Sequence, residues 1–76
     1  MTRIEWQQCF SDKVNSLMKE RGINQSQLAA RSDVSKGRLS EYLNMRSMPT
    51  IFAIINIADV LEVGIGDIID FGERID

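Results

Sequence analysis

The sequence predicts an all-α domain, a compact bundle of five short helices. Three observations carry that reading. Helix-capping residues recur along the chain: Thr2 with Glu5, Asn24 with Gln27, Ser35, and Thr50 after Pro49. Apolar residues return at helical spacing between these caps. The 76 residues contain no internal repeat, linker or low-complexity run, so 1–76 reads as a single domain.

Each element follows from its neighbours. Trp6, Phe10, Val14 and Leu17 recur at three- and four-residue steps behind the Thr2 cap, giving a first helix over 3–21. Gly22 is available as its left-handed stop. Asn24 opens a second helix over 25–31, with Leu28 and Ala29 inward. Ser32-Asp33-Val34 reads as a turn in which Asp33 does what glycine often does, because aspartate tolerates a left-handed backbone better than most residues. Ser35 caps a third helix over 36–43, where Leu39 and Leu43 share one face and Tyr42 sits at its edge. A loop over 44–48 leads to a fourth helix over 51–62 carrying Ile51, Ile54, Ile55, Ile57, Ala58 and Leu61. Its β-branched residues also suit a strand, but its length and polar breaks favour a helix. A short fifth helix over 65–69 completes the set.

Composition excludes several classes. The chain has one cysteine, Cys9, and no histidine. An intramolecular disulfide is impossible, and no zinc site or other metal or cofactor is expected. A lone thiol fits a reducing cytoplasm, and no apolar stretch is long enough to span a bilayer. Cys9 reads as a small buried or half-buried hydrophobe rather than a reactive thiol. Asp67, Asp70, Glu73 and Asp76 lack calcium-loop spacing and read as a solvated acidic end. With no histidine, no phosphate-cradling glycine loop and no activated nucleophile, an enzyme is the least expected class.

Charge is distributed unevenly. The net charge is −2, yet Lys13 to Arg46 holds seven basic and three acidic residues, while the rest holds two basic and eight acidic ones. A polyanion would meet the first set and not the second.

The informative unit runs from Ile23 to Asn44. Two short helices are joined by a tight turn, and the small Ala29 lets them cross closely and steeply, so that the second projects. A projecting helix fits the DNA major groove, about 12 Å wide. The stretches INQSQLAARSDVSKGRLSEYLN and MPTIFAIINIADVLEVGIGDII resemble the XRE-type helix-turn-helix family of lambda-type repressors and Cro, over roughly residues 10 to 69. The resemblance rests on an ordered set: Asn24-Gln25, Leu28-Ala29, Val34, the segment 36–43, Pro49, and Ile57-Ala58-Asp59-Val60-Leu61. It implies a lambda-repressor-like fold and a DNA-binding regulator of transcription, a repressor by default.

By that resemblance, Lys36, Gly37, Arg38 and Glu41 would meet base edges, with Arg38 gripping guanine and Glu41 accepting from cytosine. Gly37 would let backbone approach the DNA closely. Gln25, Ser35, Asn44, Arg46 and Ser47 would bind phosphates. Taken alone, Lys36, Arg38 and Arg46 read equally well as a solvated basic face, and Ser35 is first a helix cap.

Two departures from the family pattern stand out. An Arg late in the first helix and a Glu ending the recognition helix often pair in the family; Met18 and Leu43 occupy those positions here, so a hydrophobic contact should replace a buried ion pair. The family glycine after the recognition helix is Met45 here, so either Asn44 takes the left-handed conformation or the loop differs. Finally, Phe52, Ile55, Val60, Ile69 and Phe71 suggest an apolar patch on the C-terminal half, as at a homodimer interface; the bland reading is that they complete a small core. The competing functional class is a helical protein-interaction module, antitoxin-like, that retains the fold.

Overall fold

The computed structural model describes residues 2–69, and Phe71 among the expected interface residues lies outside that range. The elements are α1 (Arg3–Arg21), α2 (Gln25–Ser32), α3 (Lys36–Leu43), α4 (Ile51–Val60) and a 3-10 turn (Ile65–Asp67). No strand occurs among the described residues. None of the described helices is long and apolar enough to cross a membrane.

Local chemistry starts each helix. The Thr2 hydroxyl accepts from the Glu5 amide at 3.1 Å, and the Glu5 carboxylate accepts from the Thr2 amide at 2.8 Å. That second bond holds the exposed Glu5 carboxyl below its usual range. Asn24 and Gln27 close the same reciprocal box on α2, at 2.9 and 3.0 Å. Ser35 and Thr50 accept from Arg38 and Ala53 amides, both at 3.1 Å.

All four helices stop in the same way. Beyond each lies a left-handed residue: Gly22 (φ 69°), Asp33 (φ 60°), Met45 (φ 62°) and Glu62 (φ 60°). The amide of the following residue then bonds five residues back: Ile23 to Met18, Val34 to Ala29, Arg46 to Glu41 and Val63 to Ala58, at 2.9–3.2 Å. This is the Schellman closure, and an apolar residue after the left-handed position commonly packs back on the helix. Ile23, Val34 and Val63 do so against the core. Arg46 departs from that rule and is exposed.

The boundaries differ from expectation in three places. α2 includes Ser32, whose buried hydroxyl donates to the Leu28 carbonyl at 2.7 Å. α4 ends at Val60, not residue 62, because Glu62 leaves the helix through positive φ. The fifth element is a single 3-10 turn rather than a helix to residue 69, with the Asp67 carboxylate capping the Gly64 amide at 2.9 Å.

Left-handed backbone costs roughly 1–2 kcal/mol for a residue with a Cβ. Glu62 is exposed, so little packing opposes its replacement. Glu62→Gly is therefore expected to stabilise the domain by about 1 kcal/mol, a rise of about 4–8 °C in thermal midpoint by circular dichroism. Met45→Gly should gain less, since the half-buried methionine side chain is lost with the strain.

Packing builds one core. α1 lies on α3, α2 contacts both α3 and α4, and the 3-10 turn closes on α4. Phe10, Val14, Leu28, Leu39, Ile57, Leu61 and Ile68 are fully buried at the centre. Trp6 stacks on Phe10, centroids 5.5 Å apart with rings 7° from parallel. One buried hydrogen bond ties α1 to the end of α3: Ser11 Oγ donates to the Leu43 carbonyl at 2.7 Å. Tyr42, expected at the edge of its face, is instead buried, because α3 is clasped by α1 on one side and α2 on the other.

Candidate nucleic-acid interface

α3 is divided along its length. Leu39, Tyr42 and Leu43 are buried, at 0–7% exposure, while Lys36, Gly37, Arg38 and Glu41 are exposed. An eight-residue helix makes little more than two turns, so burying one side leaves the other entirely in solvent. The inner residues fix the rod against α1 and α2; the outer ones carry two cations, an acceptor and a bare stretch of backbone.

That bare backbone is Gly37. A Cβ built there meets nothing within 4 Å, and its φ is not in the left-handed region. Nothing in the folded chain requires glycine. Gly37→Ala is therefore expected to raise stability by about 0.5–1 kcal/mol, since glycine weakens a helix. The same change should weaken duplex binding if a surface must approach the backbone there. Thermal melts and anisotropy on one variant would separate the two effects.

The expected phosphate-binding residues surround α3. Ser35 sits at its N-terminus with its hydroxyl on the Arg38 amide. Arg46 is exposed and Ser47 half-buried in the following loop. Asn44 uses its amide nitrogen within the chain, donating to the Ser40 carbonyl at 2.8 Å and hydroxyl at 3.2 Å. Gln25 is half-buried at the start of α2, beside the closed Asn24–Gln27 box. The expected dilemma after α3 resolves on Met45. Asn44 stays at φ −97° and Met45 takes the left-handed position, because the bond from the Arg46 amide to Glu41 needs it there.

The expected apolar patch is redistributed. Phe52 and Ile55 are exposed, at 75% and 43%. Ile69 is 8% exposed and belongs to the core, and Val60 is half-buried against it. For these two the bland reading holds: they complete a small core. Ile51 and Met48, at 58% and 41%, join the patch instead. Ile51 is one turn before Ile55, so the two share a face of α4. A groove of about 300 Å³ lies between α3 and α4, lined among others by Ser35, Arg38, Tyr42, Phe52 and Asn56. The apolar patch and the basic face of α3 therefore share an edge.

Met18 and Leu43 are both buried, at 6% and 7%, in the common hydrophobic core. Cys9 is half-buried.

Residues 14–68 match a family model described as helix-turn-helix, close to the stretch singled out in the sequence. A transcriptional regulator from Listeria innocua, known from its crystal structure, is similar in fold, with a TM-score of 0.72 at 21% identity. The likeness covers 87% of this chain and 62% of that one, so this chain spans less than two thirds of that regulator's length. No curated protein matches this chain in sequence.

Proposed function

The chain belongs to the helix-turn-helix family, and we propose that it is a sequence-specific DNA-binding regulator that represses transcription as a two-fold dimer. The observation that carries this reading is the division of α3 into a buried face and an exposed face bearing Lys36, Gly37, Arg38 and Glu41. A helix so divided enters the major groove and reads base edges there. Gln25, Ser35, Arg46 and Ser47 hold flanking phosphates. These contacts set register without specifying sequence. Asn44 contributes by closing α3 and offers the phosphate backbone only what that closure leaves free.

Arg46 adds its own support. Three of the four helix ends place an apolar side chain after the left-handed residue, and the end of α3 places an exposed guanidinium there. The fold forgoes a packing contact at the one end that flanks the outward face.

Dimerisation is assigned to Met48, Ile51, Phe52 and Ile55. Exposed large apolar side chains gathered at the start of one helix are a usual mark of a subunit contact. The patch adjoins the groove beside Arg38, so a two-fold axis through it would set two copies of α3 on one side of the duplex, about one turn (~34 Å) apart. A dimer on such a palindromic operator represses by occluding polymerase.

The test is selection of bound fragments from the source genome, followed by anisotropy titration across salt. Specific binding should fall steeply as salt rises, through release of condensed counterions. Half-sites one turn apart would support the dimer; sedimentation showing only monomer at micromolar concentration would remove it. The same patch favours a second reading, a module that binds another protein. Absence of duplex binding at low salt would leave that reading in place of the first.

A further inference from the structure

α1 starts eleven residues before the family match, whose first residue is 14. This segment runs past the end of α3. Ser11 holds the Leu43 carbonyl, and one turn earlier Gln7 faces a cleft of about 590 Å³ shared with Thr2, Arg3, Ile4 and Met45. Met45 directly precedes Arg46, so the cleft adjoins the loop to which phosphate contacts are assigned above.

The cleft has three features that suit an oxyanion. The first is a helix N-terminus with donors to spare. Glu5 occupies the Thr2 amide, Thr2 occupies the Glu5 amide, and the Trp6 amide makes the first intrahelical bond, to Thr2. The amides of Arg3 and Ile4 lie between these and precede any intrahelical acceptor. The second is the exposed Arg3 guanidinium. The third is independent of both. Gln7 is 3% exposed, its amide makes no hydrogen bond among the described residues, and it is not sealed from solvent. Its polar atoms thus keep an opening toward the cleft that Gln7 lines.

We propose that this cleft seats a backbone phosphate of duplex DNA, so that the first turns of α1 extend the phosphate track beyond Arg46. The inference rests on the DNA-binding reading. Arg3 supplies the charge, the Arg3 and Ile4 amides direct it, and the Gln7 amide donates from below. Ile4 and Met45 form the apolar walls of the cleft.

The experiment uses the full chain and an arbitrary-sequence duplex of roughly 21 bp, two turns. Phosphate contacts are sequence-independent, so no operator is needed. Arg3→Gln is expected to make the slope of log K against log salt shallower by about 0.9. Gln7→Met is expected to weaken binding several-fold while leaving the thermal midpoint unchanged or higher, because it removes an unpartnered amide. Amide shifts at Arg3 and Ile4 should appear with duplex and not with millimolar sodium phosphate. Shifts of equal size with phosphate alone would make the cleft a free-anion site and overturn the proposal. So would an unchanged slope for Arg3→Gln, or a Gln7→Met variant that melts lower and binds normally. Should Arg38 and Arg46 variants lose affinity while these do not, only the present inference falls. If the wild-type chain binds no duplex, the DNA reading itself falls.

Discussion

Replacing Arg38 with alanine is expected to weaken binding to the selected operator by about 1–3 kcal/mol, roughly 5- to 150-fold, at one base-pair position, with the thermal midpoint unchanged. The stability half of that expectation comes from geometry. Arg38 is exposed, and its part in capping α3 is played by its backbone amide, which alanine retains. The binding half comes from the guanidinium fork, which matches the two acceptors on guanine in the major groove. Arg38→Lys should recover the charge but not the discrimination, because an ammonium is a point charge without a fork. Titrations against the operator and against single-substitution variants of it would read both. A loss of equal size on every sequence would move Arg38 from base reading to phosphate holding. Its place on the rim of the groove with Ser35 and Phe52 makes that a concrete alternative. No loss at all would take α3 out of the interface.

The neighbouring position shows why the two halves separate. Leu39 follows Arg38 by one residue and is fully buried. Truncating it would cost about 2–5 kcal/mol of folding free energy through the lost burial and the cavity left behind. Binding would then vanish with the fold. On a helix of eight residues, adjacent positions thus belong to different problems, one to the core and one to the ligand.

Those features of the fold that depend on local chemistry were legible in the sequence. A cap needs a side-chain oxygen and an amide three residues on, and Thr2, Asn24, Ser35 and Thr50 all form that bond. Gly22 and Asp33 were readable as left-handed stops because glycine lacks the Cβ that opposes that conformation and the short polar side chain of aspartate tolerates it. Met45 and Glu62 were not, since nothing in methionine or glutamate favours it. There the backbone is turned by the bonds from Arg46 and Val63 back into the helix, and the packing of Val63 assists at the second.

The site divides similarly. The outward face of α3 follows from spacing, because Leu39 and Leu43 define the opposite side. The apolar patch does not. α4 reads IFAIINIADV, with isoleucine or phenylalanine on nearly every side, so its sequence alone cannot say which side meets solvent. That is decided by α2 and the 3-10 turn, which cover Ile54 and Ile57 and leave Ile51, Phe52 and Ile55 bare. The tie from Ser11 to Leu43 spans 32 residues and has no local signature at all.

Leu43→Glu is expected to destabilise the domain by about 3–5 kcal/mol, by placing a carboxylate without a partner where leucine is 7% exposed. Domains of ordinary stability hold about 5–15 kcal/mol in total, so this one change should leave a substantial unfolded fraction at 37 °C. Met18→Arg, buried in the same cluster, should be damaging for the mirror-image reason. The informative measurement is the combination. If the two side chains meet where α1 packs on α3, the double variant should recover most of the loss. Denaturant unfolding would then give a coupling of several kcal/mol between the two sites. It should not surpass the wild type, because two ions taken from water regain in mutual attraction little more than their desolvation costs, whereas an apolar pair has no such cost to recover. Additive losses would show that Met18 and Leu43 do not form one contact. The apolar residues at these two positions would then be independent core choices rather than the exchange of an ion pair for a hydrophobic one.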